Sequence, residues 1–155
     1  MNNNIISIYT DGGNIGNGQP ESLGAWAYIL TYKDRYLEDS GILQNTTNNI
    51  CELTAISKAL RRLTNPTIPI IIYSDSQYAI NSLTTWTPKW IRNNWKTSEG
   101  KPVKNKELIQ ETHSLLKVFK VELSWVRGHS GNPLNERCDE LCRLEREKYL
   151  SGQTL

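Results

Sequence analysis

The sequence predicts an α/β fold in which one mixed β-sheet carries helices on its faces. Strand-like and helix-like stretches alternate in the order β-β-β-α-β-α-α-β-α. The isoleucine-rich run 68–74 lacks polar alternation, which is typical of a strand buried on both faces. A length of 155 residues and an apolar share of 37% indicate one domain with its own core. We place it at residues 1–150 and expect 151–155 to form a flexible tail.

The first three strands are predicted at residues 5–10, 24–32 and 36–43. The first is expected to stop at Asp11, because a run of glycine and asparagine typical of a turn follows it. That run lacks the Gly-Lys-Ser/Thr sequence of a phosphate-binding loop. A three-residue connection between the second and third strands predicts an antiparallel meander.

The first helix is predicted at residues 46–63, where apolar side chains recur every three or four residues. Asn49 and Glu52 fit a capping box at its start. Glu52 then has two interpretations. It is a solvated acid that complements the helix dipole, or it points into the layer interface together with Ala55 and Ile56. The pattern alone leaves both open.

Asp75 directly follows the buried strand, at the carboxyl end where open α/β sheets bind their ligands. A helix is predicted from Gln77 to Leu83, capped by Ser74, by Ser76 or by Asp75 itself. The pattern does not fix whether this fourth strand lies beside the third strand or the first. Only beside the first strand would Asp75 be a neighbour of Asp11.

The C-terminal part predicts a helix at 105–117, a strand at 118–126 and a last helix from Pro133 to about Tyr149, with Asn132 as its N-cap. Alternation along the strand predicts that Trp125 faces the same side as Leu123. A glycine-flanked loop, 127–131, joins this strand to the last helix.

Residues 84–105 form a basic segment, although the net charge of the whole chain is only +2. Five lysines and arginines stand there against Glu99 alone, interleaved with Trp86, Trp90 and Trp95. Aromatic and cationic side chains together suit a nucleic-acid backbone and its bases. In a simpler interpretation the tryptophans pack inward while the lysines face water. This packing is compatible with nucleic-acid binding.

Four acids stand at the ends of predicted elements: Asp11, Glu52, Asp75 and Asp139. Clustered carboxylates repel one another unless cations neutralise them, and oxygen ligands suit Mg²⁺ or Mn²⁺. Two such ions could promote phosphodiester cleavage, and His129 on the glycine-flanked loop could transfer protons. A Ser130–His129–Asp139 triad is an alternative, but Ser130 lacks the Gly-x-Ser-x-Gly elbow.

Other features narrow the class of protein. No apolar stretch has the length of a membrane-spanning helix, and the N-terminus does not resemble a signal peptide. Three cysteines without CxxC spacing, Cys51, Cys138 and Cys142, indicate neither a disulfide framework nor a zinc site. We expect them to fill core space, and we expect the protein to be a monomer in the reducing cytoplasm, without a membrane partner.

Several short motifs resemble those of one family, bacterial-type (type 1) ribonuclease H. They occur in the family's order and cover roughly residues 5–144: Tyr9-Thr10-Asp11-Gly12-Gly13, Thr46-Thr47-Asn48-Asn49-Ile50-Cys51-Glu52-Leu53, Ser74-Asp75-Ser76-Gln77-Tyr78, Gly100-Lys101-Pro102-Val103-Lys104-Asn105, Trp125-Val126-Arg127-Gly128-His129-Ser130-Gly131 and Asn135-Glu136-Arg137-Cys138-Asp139-Glu140. Each motif is weak alone, but together they are highly specific. Two departures are Cys51, where the family usually has methionine, and a longer first hairpin around Asn17.

The resemblance implies a ribonuclease H-like fold with a five-stranded mixed sheet of order 3-2-1-4-5. It implies that two Mg²⁺ ions, replaceable by Mn²⁺, support hydrolysis of the RNA strand of an RNA/DNA hybrid, leaving 5′-phosphate and 3′-hydroxyl ends. The metal ligands would be the four acids, with His129 assisting as a fifth catalytic residue. A non-catalytic hybrid-binding module and another nuclease on the same fold are the alternatives.

The resemblance also implies which side chains contact the hybrid. Asn17, Asn48 and Gln77 match residues that reach the minor groove, where 2′-hydroxyls distinguish RNA from DNA. Thr47 and Asn49 match a pocket for a phosphate of the DNA strand. The basic segment resembles the family's hybrid-binding protrusion, with these candidate contacts: Trp86, Trp90, Trp95, Lys96 and Lys101.

Overall fold

A computed structural model describes residues 4–15, 22–128 and 131–153. Its five strands are β1 (Ile6–Ile15), β2 (Leu23–Tyr32), β3 (Arg35–Gln44), β4 (Ile70–Ser74) and β5 (Val121–Trp125). They form one sheet in the order β3-β2-β1-β4-β5. Strands β1, β2 and β3 are antiparallel, whereas β4 is parallel to both β1 and β5. The mixed sheet and its 3-2-1-4-5 order are therefore confirmed.

In the part of the chain that the structure describes, five helices flank the sheet: α1 (Asn48–Arg62), α2 (Gln77–Leu83), α3 (Thr87–Arg92), α4 (Lys106–Val118) and α5 (Pro133–Gln153). Helix α1 packs on β1 and β2 and against α4, whereas α5 packs on β1, β2 and β3. Within the described ranges, none of these helices is long and apolar enough to cross a membrane.

Two hydrophobic cores lie on opposite faces of the sheet. The larger one joins the sheet to α1 and α4 and includes Ile8, Leu53 and Ile72. The smaller one joins β2 to α5 through Ile29 and Cys138. Alternate side chains of a strand point to opposite faces, so burying both faces requires apolar residues throughout the central strands.

Strand β1 is longer than the sequence predicts. It does not end before Asp11 but continues to Ile15, with Gly12, Gly13 and Asn14 paired to β2. Gly12 serves a close contact with α1 rather than a turn. Asp11 is therefore held inside an antiparallel ladder, just past the point where parallel pairing with β4 ends at Tyr9.

Several other predicted boundaries need correction. Helix α1 begins at Asn48, and its N-cap is Thr47, whose hydroxyl accepts a hydrogen bond from the Ile50 amide at 3.2 Å. The capping box from Asn49 to Glu52 was thus wrong. Strand β5 begins at residue 121 because α4 continues to 118, and α5 reaches residue 153 rather than about 149. Trp125, the last residue of β5, is 49% exposed.

Candidate active site

Asp75 is placed beside Asp11 by the parallel pairing of β1 and β4. Tyr9 and Tyr73 are paired in register and their rings stack with centroids 4.9 Å apart. The Thr10 hydroxyl donates to the Tyr73 carbonyl at 3.3 Å, which ties the two strands together just before the acids. Both carboxylates thus lie just past the point where the parallel pairing ends, Asp11 within β1 and Asp75 directly after β4.

Asp75 is not the cap of α2. The Ser76 hydroxyl accepts the hydrogen bond from the Ala79 amide at 3.0 Å, so Ser76 is the N-cap. The Asp75 carbonyl accepts from the Trp125 indole at 3.2 Å, which fixes the backbone while the carboxylate stays exposed. A Cβ at Gly128 would lie 3.0 Å from Oδ2 of Asp75, so the loop after β5 also approaches this acid closely.

Glu52 reaches the same point because α1 touches β1. A Cβ at Gly12 would lie 2.6 Å from the Glu52 backbone nitrogen, so only glycine permits this approach. Glu52 is 8% exposed, and within the described residues its Oε2 is buried without a hydrogen-bond partner. The interpretation of Glu52 as a solvated helix-end acid was therefore wrong, and it faces the layer interface.

The three carboxylates form one group. One oxygen from each of Asp11, Glu52 and Asp75 lies within 4.8 Å of the others. Burial, followed by repulsion from Asp75, raises the pKa of Asp11 to about 7, although the Gly12 amide donates to its Oδ1 at 2.9 Å. Burial and the charges of both neighbours raise the pKa of Glu52 well above its usual value. This arrangement favours a cation, which would neutralise the shared charge.

Asp139 lies outside this tight group but on the wall of the same cavity. It is exposed on α5, and its charge contributes to raising the pKa of Asp11. Two cysteines hold this helix on the sheet: the Cys138 thiol donates to the Tyr9 carbonyl at 3.4 Å, and the Cys142 thiol to the Asp11 carbonyl at 3.7 Å. All three cysteines are buried and free, so their predicted role as core residues is confirmed.

The carboxylates line a cavity of about 430 Å³. Asn48 and Asn49, two predicted contact residues, also line it. Further lining residues were not predicted from the sequence, among them Asn14, Asn135 and Arg146. Arg146 could have been found, since it lies seven residues after Asp139 on a predicted helix and so shares its face.

Two of the remaining candidates lie outside this lining. The hydroxyl of Thr47 caps α1, and Gln77 is exposed at the first position of α2. Asn17 and His129 lie outside the described residues.

The basic segment folds into a compact aromatic unit with its charges outside. The rings of Trp86, Trp90 and Trp95 follow one another with centroids 5.8 Å apart, and Trp90 and Trp95 also pack against the main core. Lys96 and Lys101 are exposed. The interpretation in which tryptophans pack inward and lysines face water is therefore confirmed, and binding of nucleic acid by this segment stays a prediction.

Comparison with known proteins matches the RNase H family model to residues 3–147. The chain belongs to the ribonuclease H family. This family consists of metal-dependent nuclease hydrolases, and membership confirms the family and the enzyme class predicted from the motifs.

Ribonuclease H proteins from bacteria resemble the chain over most of its length. The protein from Xanthomonas campestris is 45% identical over 138 residues, covering 89% of each chain. The protein from Clostridium botulinum is 43% identical over 145 residues, covering 93% of this chain and 97% of its own.

Two solved structures share the fold. LC9-RNase H1, a type 1 RNase H with the type 2 active-site motif, superposes with a TM-score of 0.79 at 26% identity, over 90% of this chain and 71% of that one. A foamy viral protease-reverse transcriptase in complex with RNA/DNA hybrid has a TM-score of 0.77 at 18% identity, over 90% of this chain and 20% of that one. The second likeness concerns the fold alone.

Proposed function

We propose that this protein is an endoribonuclease that hydrolyses the RNA strand of RNA/DNA hybrids with divalent metal ions. The observation that carries the proposal is the convergence of the Asp11, Glu52 and Asp75 carboxylates within 4.8 Å. Family membership supports the reaction class, and the names of the relatives support ribonuclease H activity.

The donor set fits a hard divalent cation. All the candidate ligand atoms are carboxylate oxygens, and Mg²⁺ is held by a few carboxylates together with water and substrate phosphate. The unpartnered Oε2 of buried Glu52 is an atom that a cation would satisfy. We assign Asp11, Glu52, Asp75 and Asp139 as ligands of two Mg²⁺ ions, with Mn²⁺ as a possible substitute.

The bound ions would supply an activated water and stabilise the leaving 3′ oxygen, giving 5′-phosphate and 3′-hydroxyl ends. The protein itself positions the strand. The amide of Asn48 lies at the cavity, with its Oδ1 accepting a hydrogen bond from the Asn14 amide at 2.8 Å. This contact turns the amide oxygen toward β1. We propose that Asn48, Gln77 and Asn17 bind the minor groove, and that His129 moves protons.

A second set of groups would bind the rest of the hybrid. Asn49, at the cavity rim, and Thr47, whose hydroxyl can donate while it accepts the cap bond, are proposed to bind a DNA-strand phosphate. The basic segment presents a shallow depression of about 430 Å³ lined by tryptophans and lysines. We propose that the hybrid contacts Trp86, Trp90 and Lys96 of this depression, together with Trp95 and Lys101 of the same segment. These contacts need no second subunit, so we propose that the protein is a monomer. We also propose that it acts in the cytoplasm.

The test is cleavage of three labelled duplexes, RNA/DNA, RNA/RNA and DNA/DNA, in Mg²⁺ or in EDTA. We expect cleavage of the RNA strand of the hybrid alone, and only with Mg²⁺. Cleavage of DNA/DNA would favour another nuclease on the same fold. Hybrid binding without cleavage would favour the binding module, and activity in EDTA would exclude the metal mechanism.

A further inference from the structure

One face of α5 places a positively charged side chain, Arg146, at the cavity that holds the acids. Asp139, Cys142 and Arg146 all line this cavity. Seven residues are nearly two helical turns, so Asp139 and Arg146 lie on the same side of α5, roughly 10 Å apart along its axis. Side chains of a helix lean toward its N-terminus, so the Arg146 side chain leans toward the carboxylates.

The Arg146 guanidinium is held at a defined place. Its Nη1 donates to the Gly13 carbonyl at 3.1 Å. Gly13 lies two residues beyond Asp11 in β1, a distance of roughly 7 Å along a strand. The guanidinium is therefore anchored to β1 two residues from Asp11, in the wall of the cavity that holds the carboxylates.

Arg146 differs from the other arginines of α5. Arg137 pairs with Glu38 and Glu140, and Arg143 pairs with Glu147. Among residues 4–15, 22–128 and 131–153, the Gly13 carbonyl is the one group that Arg146 is hydrogen-bonded to, and no carboxylate pairs with it. A guanidinium carries five N–H donors, and a single bond to a neutral carbonyl leaves most of them for a ligand.

We propose that Arg146 binds a backbone phosphate of the RNA strand, next to the phosphate that the carboxylates receive. A guanidinium binds phosphate through paired N–H donors, and its charge offsets the repulsion between an acidic cavity and the anionic strand. The inference rests on the proposed function, because it takes the hybrid as the substrate. Arg146 is then a substrate-binding residue of this chain.

The experiment compares Arg146→Gln, Arg146→Lys and the control Arg143→Gln with the wild type. Gln keeps an N–H donor for Gly13 without the charge, whereas Lys keeps the charge. Affinity for a fluorescent RNA/DNA hybrid is measured in EDTA at several salt concentrations, and KM and kcat are measured in Mg²⁺. Thermal unfolding checks that each variant is folded.

For Arg146→Gln we expect a KM about tenfold higher, the effect of losing one charge-assisted hydrogen bond, with kcat within about threefold. The slope of log affinity against log salt concentration should become shallower by about 0.9, the value for one phosphate contact. Arg146→Lys should keep the slope, and Arg143→Gln should match the wild type in KM and slope.

Three results would overturn the inference while leaving the proposed function intact. These are an unchanged slope and KM in Arg146→Gln, an equal loss in Arg143→Gln, or a slope in Arg146→Lys as low as in Arg146→Gln. If Arg146→Gln unfolds, Arg146→Met, which also removes the charge, takes its place, and an unchanged slope and KM in Arg146→Met would equally overturn the inference. Failure of the wild type to cleave hybrid in Mg²⁺ would instead overturn the proposed function.

Discussion

The backbone of Gly12 lies against the backbone of Cys51, at the contact between β1 and α1. A Cβ placed on Gly12 would be 2.4 Å from the Cys51 carbonyl carbon, a distance that real Cβ atoms do not adopt. This contact brings the next residue of the helix, Glu52, into one group with Asp11. The site therefore depends on the absence of a side chain as much as on the acids.

Gly12→Ala should push α1 away from β1. We expect a loss of about 1–3 kcal/mol in the free energy of unfolding, typical of an overpacked core, together with a large loss of hybrid cleavage. Denaturant titration and steady-state kinetics measure the two effects. The control is Gly152→Ala, where a Cβ meets nothing within 4 Å, so neither quantity should fall. Unchanged cleavage in Gly12→Ala would mean that the contact does not position Glu52.

The same glycine shows why part of β1 could not be predicted. Gly12, Gly13 and Asn14 have the composition of a turn, and local propensity favours one. Their pairing with β2 and the approach of α1 are tertiary contacts, which override that propensity.

The N-cap of α1 and the neighbours of β4 could not be predicted from local pattern either, because tertiary contacts fix both. Thr47 and Asn49 are both good N-cap residues. Thr46 is fixed just before Thr47, because its amide and carbonyl both hydrogen-bond the Ser22 hydroxyl. Similarly, the buried run 68–74 identifies a strand but not its neighbours, so its place beside β1 came from the family motifs. The four acids, in contrast, could be singled out from local pattern, although of the four only Asp75 directly follows an element in the structure.

Asp75→Asn should abolish cleavage while leaving hybrid binding nearly unchanged. The amide keeps the shape of the side chain but loses the charge that would hold a cation, so we expect turnover to fall by at least about 100-fold. Single-turnover cleavage and anisotropy of a labelled hybrid measure the two properties. Asp34→Asn, at the exposed turn between β2 and β3, is the control and should behave as wild type. Retained turnover in Asp75→Asn would remove this acid from the site.

Glu52→Gln should stabilise the metal-free protein in a pH-dependent way. The pKa of Glu52 is raised in the folded state by burial and by Asp11 and Asp75, so the ionised carboxylate opposes folding at high pH. Below the pKa of the unfolded chain, about 4.3, Glu52 is protonated in both states and the variant gains nothing. We therefore expect a higher Tm at pH 8 in EDTA, by about 2–4 °C per kcal/mol, and no gain at pH 4.

Metal provides the control for this prediction. Mg²⁺ should raise the Tm of the wild type at pH 8, because a ligand that binds only the folded state stabilises it. The same addition should have a smaller effect on Glu52→Gln, which lacks one anionic ligand. A gain in Tm for the variant at pH 4 as large as at pH 8 would contradict the electrostatic explanation.

Asn14→Ala should weaken hybrid binding without changing the Mg²⁺ requirement of cleavage. The Asn14 amide group donates to the Thr46 carbonyl at 2.9 Å, which anchors the chain just before the first turn of α1. That turn carries Asn48 and Asn49 at the cavity rim. Losing the bond should cost about 1 kcal/mol of stability and raise KM for the hybrid several-fold, with kcat and the Mg²⁺ requirement unchanged. Kinetics over hybrid and Mg²⁺ concentrations separate these quantities.

Asn65→Ala is the matched control for Asn14→Ala. Asn65 also makes side-chain hydrogen bonds, accepting from the amide and hydroxyl of Thr67, but it follows the opposite end of α1. A helix of 15 residues is roughly 22 Å long, so Asn65 is remote from the cavity. It should lose a comparable amount of stability and keep the wild-type KM. An equal rise of KM in both variants would mean that general destabilisation, rather than placement of Asn48 and Asn49, limits binding.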